Sequence, residues 1–213
     1  MTKTPGTLAS FPVIVAALLS VGGCAQRNSN GPLLSVPPAT AADNRVYVAD
    51  GGGRIRALDQ NGKEQWTYSV GESLAQATHR SSRDFQTLFL AAREGGRLFG
   101  LAAQLTGAHT GATYLFAMAD SRLVWQREVR EPTTEVPPIA LGGMAIYEAG
   151  NDGTIYAFAQ DDGRTLWQHH VTDGPLGSLT IGNDGTIYIT GPLGHLHAIA
   201  PDGSEKWAVE TRN

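Results

Sequence analysis

A tryptophan recurs at a nearly fixed interval along the chain, and the residues around it recur with it. Trp167 follows Trp125 by 42 residues, and Trp207 follows Trp167 by 40. Before each of these stands an apolar run and a turn, and the same arrangement precedes Trp66 near the start of the chain. Because periodicity of this kind marks repeated supersecondary units, it restricts the fold more than any other feature of the sequence.

Each repeat predicts four short antiparallel strands. In the third repeat we expect them at residues 139–141, 145–150, 154–159 and 165–171, with Asn151-Asp152-Gly153 as a tight turn. Both faces of 154–159 are apolar, so we expect both to be covered. Parallel β-helices use shorter repeats, and leucine-rich repeats need an Asn ladder that is absent here. The pattern therefore predicts an all-β fold, a β-propeller of about four four-stranded antiparallel blades.

The repeats divide most of the chain into blades. Within a propeller domain at 37–213, we expect four blades at about residues 37–71, 74–130, 137–172 and 177–211. The second blade is the longest, since Trp125 lies 59 residues after Trp66. We expect its additional residues to form a surface excursion at 103–112, with a duplicated strand or a long hairpin. This excursion is either a chain-specific contact or a tolerated insertion. No clear amphipathic helix is predicted after the N-terminal segment.

The N-terminal segment has the features of a signal peptide. Lys3 precedes an apolar run at residues 11–21, which is short for a transmembrane helix. The run ends in Val-Gly-Gly-Cys24, which resembles a bacterial lipoprotein lipobox. The resemblance implies a signal peptide at 1–23, lipidation of Cys24 and a flexible tether at 24–36. A plain secretory peptide, or an N-terminal anchor with Cys24 incidental, are the alternatives.

The repeat resembles the PQQ-like β-propeller family. Its form, Gly-x-Ile-Tyr-Ala followed by Asp-Gly and then Trp, is carried by residues 153–167, with variants at 194–207 and 53–66. The family includes quinoprotein dehydrogenases and non-enzymatic envelope proteins, among them the lipoprotein subunit of the outer-membrane β-barrel assembly machinery. In the family the Trp docks against the neighbouring blade. The resemblance thus implies a structural, blade-docking role for Trp66, Trp125, Trp167 and Trp207.

The predicted number of blades leaves ring closure open. The family's rings usually have six to eight blades, whereas this sequence predicts about four. We expect an open arc or an incomplete ring, and a tight four-bladed ring, a fragment or half of an oligomer are the alternatives. Unclosed sheet edges favour association, so a homo-oligomer is one expected outcome.

No set of residues predicts an active site. By family resemblance, a quinoprotein enzyme uses a catalytic Asp, a bound Ca²⁺ and often a vicinal disulfide, and this chain has one Cys. His195 and His197 share a strand face, but two ligands are too few for a metal site. We therefore expect no catalytic residue, no cofactor and no metal. The acidic residues that stand in turns are interpreted as turn formers: Asp152, Asp161, Asp162, Asp184 and Asp202.

The lipobox-like segment and the repeats favour a binding role. The 16 basic and 20 acidic residues give a formal net charge of −4, which does not suggest a nucleic-acid partner. We expect a non-enzymatic scaffold, lipid-anchored on the periplasmic side of the outer membrane, or at the cell membrane of a Gram-positive source. Its expected partner is an envelope protein or an extended peptide. A truncated relative of PQQ-dependent dehydrogenases and a sensor or carbohydrate-contacting module are the other classes.

Overall fold

Strands dominate the computed structural model of the chain. It describes residues 39–40, 43–49, 53–81, 85–106, 109–130, 139–150, 152–172, 174, 176–177, 179–191 and 193–211. Cys24 and the predicted signal peptide and tether lie outside these residues. The described strands form four four-stranded antiparallel sheets, and in each sheet every strand pairs with the next one along the chain. This confirms the predicted all-β fold of four blades.

The strands follow the chain in four groups, with one helix between the first and second groups. The first sheet holds β1 (Ala39–Thr40), β2 (Val46–Ala49), β3 (Arg54–Leu58) and β4 (Glu64–Ser69), and helix α1 (Val70–Thr78) follows it. The second sheet holds β5 (Phe85–Arg93), β6 (Arg97–Thr106), β7 (His109–Ala119) and β8 (Arg122–Arg130). The third holds β9 (Ile139–Leu141), β10 (Ala145–Ala149), β11 (Thr154–Ala159) and β12 (Thr165–His170). The fourth holds β13 (Leu179–Ile181), β14 (Ile187–Thr190), β15 (His195–Ile199) and β16 (Glu205–Glu210).

The antiparallel order places the turns at two rims. The upper rim is defined as the edge that holds two turns of each sheet, the turn from its first to its second strand and the turn from its third to its fourth strand. The lower rim holds the turns from second to third strand and the links from one sheet to the next. Helix α1 is such a link, so it lies at the lower rim, near the β6–β7 turn. An Arg80 Nη1 to Gln104 Oε1 hydrogen bond of 2.6 Å joins these two places.

Hydrophobic clusters join each sheet to the next. In the third sheet, Ile146 and Phe158 pack with residues of the second sheet, while Ile155 and Ala157 pack with residues of the fourth. These four side chains are buried, so both faces of the third sheet are covered, as its sequence predicts. A further cluster joins the first sheet, helix α1 and the second sheet. The core is thus a series of seams between sheets, each closed mainly by aliphatic and aromatic side chains.

A β-bulge stands at the same place in every sheet. In the third sheet, Ala157 pairs with Trp167 and Phe158 pairs with Thr165, so Leu166 has no partner across the ladder. The pairings of the other sheets skip one residue at the same position. In each case the skipped residue immediately precedes the Trp, and it is Gln65, Val124, Leu166 or Lys206. A bulge puts two residues of one strand opposite one of its partner, which re-aims the following side chain.

Helix α1 contradicts the expectation that no amphipathic helix follows the N-terminal segment. Ser69 caps it, since its Oγ accepts a hydrogen bond from the backbone N–H of Glu72 at 3.2 Å. Val70 and Leu74, one turn apart, are fully buried against the first and second sheets. The spacing Ser69-x-x-Glu72 is that of a capping box, and this signal could have located the helix in the sequence.

The second sheet confirms a long hairpin at residues 103–112, one of the two forms expected there, but contradicts its expected position on the surface. Ala103 is fully buried and Gly111 is buried, because β6 and β7 continue through the segment as one long hairpin. Residues 87–92 and 97–102 belong to the first and second strands of this sheet. The additional length of this blade therefore lies mainly in longer strands and in helix α1. Residues 107–108, which separate β6 from β7 in the sequence, lie outside the described residues.

Candidate interaction surfaces

Two of the four tryptophans lie against a loop of the following sheet. Trp125 Nε1 donates a hydrogen bond to the carbonyl oxygen of Gln160 at 3.1 Å, and Trp167 Nε1 donates to that of Pro201 at 2.9 Å. Each indole ring covers a glycine of the same loop. A Cβ added at Gly163 would lie 2.7 Å from Trp125 Cζ3, and one added at Gly203 would lie 2.7 Å from Trp167 Cδ2. Since the space of each missing Cβ is filled by the ring, we call this arrangement the Trp–Gly docking contact.

Trp66 lies at the first seam without such a contact. Its ring packs with the cluster that joins the first and second sheets, 5.9 Å from the ring of Tyr47. The β7–β8 turn that would receive it is shorter than its counterparts, because Ala119 pairs directly with Arg122 across Asp120 and Ser121. Trp66 Nε1 is buried and has no hydrogen-bond partner among the described residues. The seam between the first two sheets therefore relies on apolar packing and on helix α1.

Trp207 lies on the fourth sheet, which no described sheet of the chain follows. Its side chain is 42% exposed, although its ring stands 5.9 Å from that of Tyr188. The same separation holds between Trp66 and Tyr47, and 5.7 Å separates Trp167 from Tyr147. The orientation of the indole is therefore set within its own sheet, before any neighbouring sheet covers it.

Most of the acidic residues predicted to form turns accept a backbone hydrogen bond within the turn. The Oδ1 atoms of Asp152, Asp162, Asp184 and Asp202 each accept from the N–H two residues later, at 2.9 to 3.1 Å. Asp184 also accepts from Thr186 Oγ1 and from Lys206 Nζ. The hydrogen bonds from Thr186, with Lys206 beside them, lower the pKa of Asp184 to about 2.

The histidines do not converge on a metal site. The rings of His195 and His197 lie on one face with their centroids 6.1 Å apart, and His197 Nδ1 lies 2.9 Å from Glu205 Oε1. His170, on another sheet, has Nδ1 3.2 Å from Thr154 Oγ1. Among the residues that the structure describes, no three His, Cys, Asp or Glu side chains could hold one ion. The described histidine contacts are therefore contacts within their own sheets.

A cleft of about 670 Å³ opens at the upper rim, between the second and third sheets. Its walls come from the β5–β6 turn region of one sheet and from the β9–β10 and β11–β12 turns of the next. Two apolar side chains stand exposed in it, Met144 at 86% and Leu166 at 43%. Leu166 is the bulged residue before Trp167, so the bulge that aims the Trp at its seam presents Leu166 to the cleft.

The cleft carries three arginines, Arg93, Arg97 and Arg164, beside two acidic residues. Burial, followed by the charge of Arg97, lowers the pKa of Arg93 below its ordinary value. Arg93 Nε is buried with no hydrogen-bond partner among the described residues. Arg97 is held in place, because it donates to the Gln160 carbonyl at 3.2 Å and its guanidinium lies 5.6 Å from the centre of the Phe99 ring. The cleft therefore combines exposed apolar groups with positioned cations.

No local sequence pattern predicts this cleft. Its residues come from three turns that are separated in sequence by up to 73 positions, from Arg93 to Leu166. The one signal available was the pair of exposed apolar residues in otherwise polar turns, at Met144 and Leu166. The predicted lipidation site, Cys24, lies outside the described residues, and no described helix is long and apolar enough to cross a membrane.

Comparison of the sequence with protein families gives one match in two parts. The family model described as outer membrane protein assembly factor BamB matches residues 26–110 and residues 105–213. The two matches together span most of the predicted tether and all four sheets. In a comparison with curated protein sequences, none matches the chain.

Comparison with solved structures finds similar folds at low sequence identity. BamB from Moraxella catarrhalis superposes with a TM-score of 0.59 at 17% identity, over 82% of this chain and 48% of that one. A protein of unknown function from Bacteroides caccae gives 0.54 at 8% identity, over 86% and 62%. The computationally designed Ika8 protein gives 0.56 at 14% identity, over 81% and 49%. The chain thus spans about half the length of the BamB structure that it resembles.

Proposed function

Because the chain belongs to the family of the outer membrane protein assembly factor BamB, we propose that it is a non-enzymatic scaffold for protein–protein interaction in the bacterial envelope. It serves outer-membrane protein assembly, and acylated Cys24 anchors it to the periplasmic face of the outer membrane. The observation that carries this proposal is the family match, which extends over both halves of the chain. The lipobox-like residues before Cys24 support the anchor.

The cleft between the second and third sheets is the surface that we assign to the partner. Met and Arg are enriched in protein–protein interfaces, and both stand in this cleft. Exposed Met144 and Leu166 offer apolar contact area, and Arg164 offers a cation that lies 3.4 Å from Asp162. An extended segment with apolar and acidic side chains complements these groups. Such a segment belongs to an envelope protein or to an unfolded outer-membrane protein.

Site-specific photo-crosslinking in cells tests the proposal. A photoreactive phenylalanine analogue placed at Met144 should form adducts with outer-membrane proteins or with components of their assembly machinery, identified by mass spectrometry. Leu193 is the matched control, because it is also an exposed apolar residue, at 59%, but lies in the β14–β15 turn at the lower rim. We expect Arg164→Glu to reduce the Met144 adducts at least tenfold. Equal adducts at both positions, or adducts with no envelope protein, would contradict the proposal.

A further inference from the structure

The two ends of the sheet series are complementary to each other. Among the residues that the structure describes, the fourth sheet presents Trp207 with no loop to receive it, and the first sheet presents a docking loop, residues 59–63, with no Trp upon it. We propose that Trp207 of one copy docks onto the loop 59–63 of a second copy, and that two such contacts join two copies head to tail into one ring. This association does not depend on the function in envelope assembly.

The loop 59–63 has the same construction as the loop that receives Trp167. Gly62 donates its N–H to the Asp59 carbonyl at 2.9 Å, as Gly203 donates to the Ala200 carbonyl at 2.9 Å. Gly62 and Gly203 also share a positive φ, +78° and +90°. Gln60 then stands where Pro201 stands in the fourth sheet, and the Pro201 carbonyl is the acceptor for Trp167. Gln60 would supply the equivalent carbonyl to an incoming indole.

Gly62 differs from Gly163 and Gly203 in what covers it. A Cβ at Gly163 or Gly203 would collide with a Trp ring, whereas at Gly62 it would meet nothing within 4 Å. Together with the 42% exposure of Trp207, this shows that the first and fourth sheets of one copy do not make the docking contact with each other. The chain makes the Trp–Gly docking contact twice internally. Trp207 and the loop 59–63, the two parts of a further such contact, are therefore both unoccupied.

The sheet faces next to the loop 59–63 and around Trp207 also carry apolar side chains. On the first sheet, Val46 and Leu58 are only half-buried, although their counterparts Ile146 and Phe158 are buried beneath the preceding sheet. On the fourth sheet, the face of Trp207 also holds Val209, which is 47% exposed. A seam of the kind found between the internal sheets would cover both faces at once.

One copy presents one uncovered docking Trp and one uncovered receiving loop, so two copies can occupy both groups in each other. A contact between different surfaces closes into a ring when the rotation between copies fits, and two copies here have two such contacts to make. We therefore expect a closed pair, with neither docking group left exposed.

Native mass spectrometry of the full chain, released from detergent, tests the pairing. We expect the mass of two copies for the wild type, and a dissociation constant at least a hundredfold weaker for Trp207→Ala. Val124→Ala is the control, because Val124 is also an exposed apolar residue, at 54%, but lies on the second sheet, away from both docking groups, and it should leave the pair intact. A wild-type single copy at tens of micromolar, or pairing that survives Trp207→Ala, would overturn the proposal.

Mixing two defective variants tests the head-to-tail arrangement. Leu58→Glu places a charge in the receiving face, so alone it should weaken pairing as Trp207→Ala does, with circular dichroism showing that both variants remain folded. Trp207→Ala retains an intact loop 59–63 and Leu58→Glu retains an intact Trp207, so a mixture rebuilds one good contact. We expect mixed pairs at least tenfold tighter than either variant with itself. Mixed pairs no tighter than these, or open-ended assemblies of many copies, would contradict the closed head-to-tail pair.

Discussion

At the scale of single residues, the seams depend on a large side chain of one sheet that fills the space left by the missing side chain of a glycine in the next sheet. The indole of Trp125 fills the space that a side chain on Gly163 would need, and that glycine also holds a φ of +71°. The backbone conformation and the packing therefore both require glycine at this position. The polar end of the ring is satisfied by a backbone carbonyl, so the contact requires no particular partner side chain beyond the glycine.

Replacing Gly163 by Ala should destabilise the protein by more than its backbone conformation alone predicts. A Cβ there lies 2.7 Å from Trp125, so the ring must move, which costs about 1 to 3 kcal/mol beyond the backbone term. Gly95→Ala is the control, because Gly95 has a φ of +77° but no atom within 4 Å of the added Cβ. It should lose only about 1 to 2 kcal/mol from the left-handed conformation. Urea unfolding measures both, and equal losses would mean that the docking contact contributes nothing.

At the scale of elements, the first seam is built differently from the other two. The short β7–β8 turn offers no docking loop to Trp66, and helix α1 is packed into the same cluster. The helix buries Val70 and Leu74 and is fixed by a cap at each end, with Ser69 before it and His79 after it in a left-handed conformation. At this seam the Trp–Gly docking contact is absent, and apolar side chains of helix α1 are buried there.

Leu74→Ala should therefore lower stability substantially. Leu74 is fully buried, and removing such a side chain costs about 2 to 5 kcal/mol through lost burial and the cavity left behind. Gln76→Ala, an exposed change in the same helix, should stay within about 0.5 kcal/mol of the wild type. The free energy of unfolding from urea denaturation checks both variants. A loss below about 1 kcal/mol for Leu74→Ala would show that the helix does not support the first seam.

The elements also show which local patterns could be predicted. Strands β10, β11 and β12 were placed within one residue, because alternation and Gly-containing turns encode each hairpin locally. The hydrophobic periodicity of helix α1 is too weak to predict it, because its buried face has only Val70, Leu74 and small residues. The burial of the hairpin β6–β7 is not predicted, because Gly107, His109 and Gly111 are typical of loops, while pairing across the lengthened strands overrides that preference.

At the scale of the whole molecule, the sequence predicted the number of sheets but not the surfaces between them. The cleft with Met144 and Arg164 exists only where turns of two sheets meet, and no local pattern records which turns become neighbours. The open state of Trp207 is likewise a property of the whole, since its own repeat is similar to that of Trp167. In the described chain, a further sheet follows Trp167 and packs against it, whereas no described sheet follows Trp207.

The position of the protein in the cell is a further property of the whole chain. If Cys24 is acylated, the wild type should incorporate labelled palmitate and fractionate with the outer membrane. Cys24→Ser should reduce the label at least tenfold and leave that fraction, because the acyl chains that anchor the protein are attached at Cys24. Ser29→Ala, in the predicted tether, is the control and should behave as the wild type. Outer-membrane recovery of Cys24→Ser would remove lipidation from the proposal.

The bulge before each Trp determines where this architecture tolerates changes of length. In each bulged strand two residues stand opposite one partner residue, so losing the skipped residue, such as Val124 or Lys206, would remove the local bend and twist that aim the following indole. A lower-rim turn can gain or lose residues without this effect, provided that its flanking strands keep their pairing. During duplication and drift of the repeats, insertions and deletions should therefore accumulate in the lower-rim turns, while the bulged strand keeps a constant length.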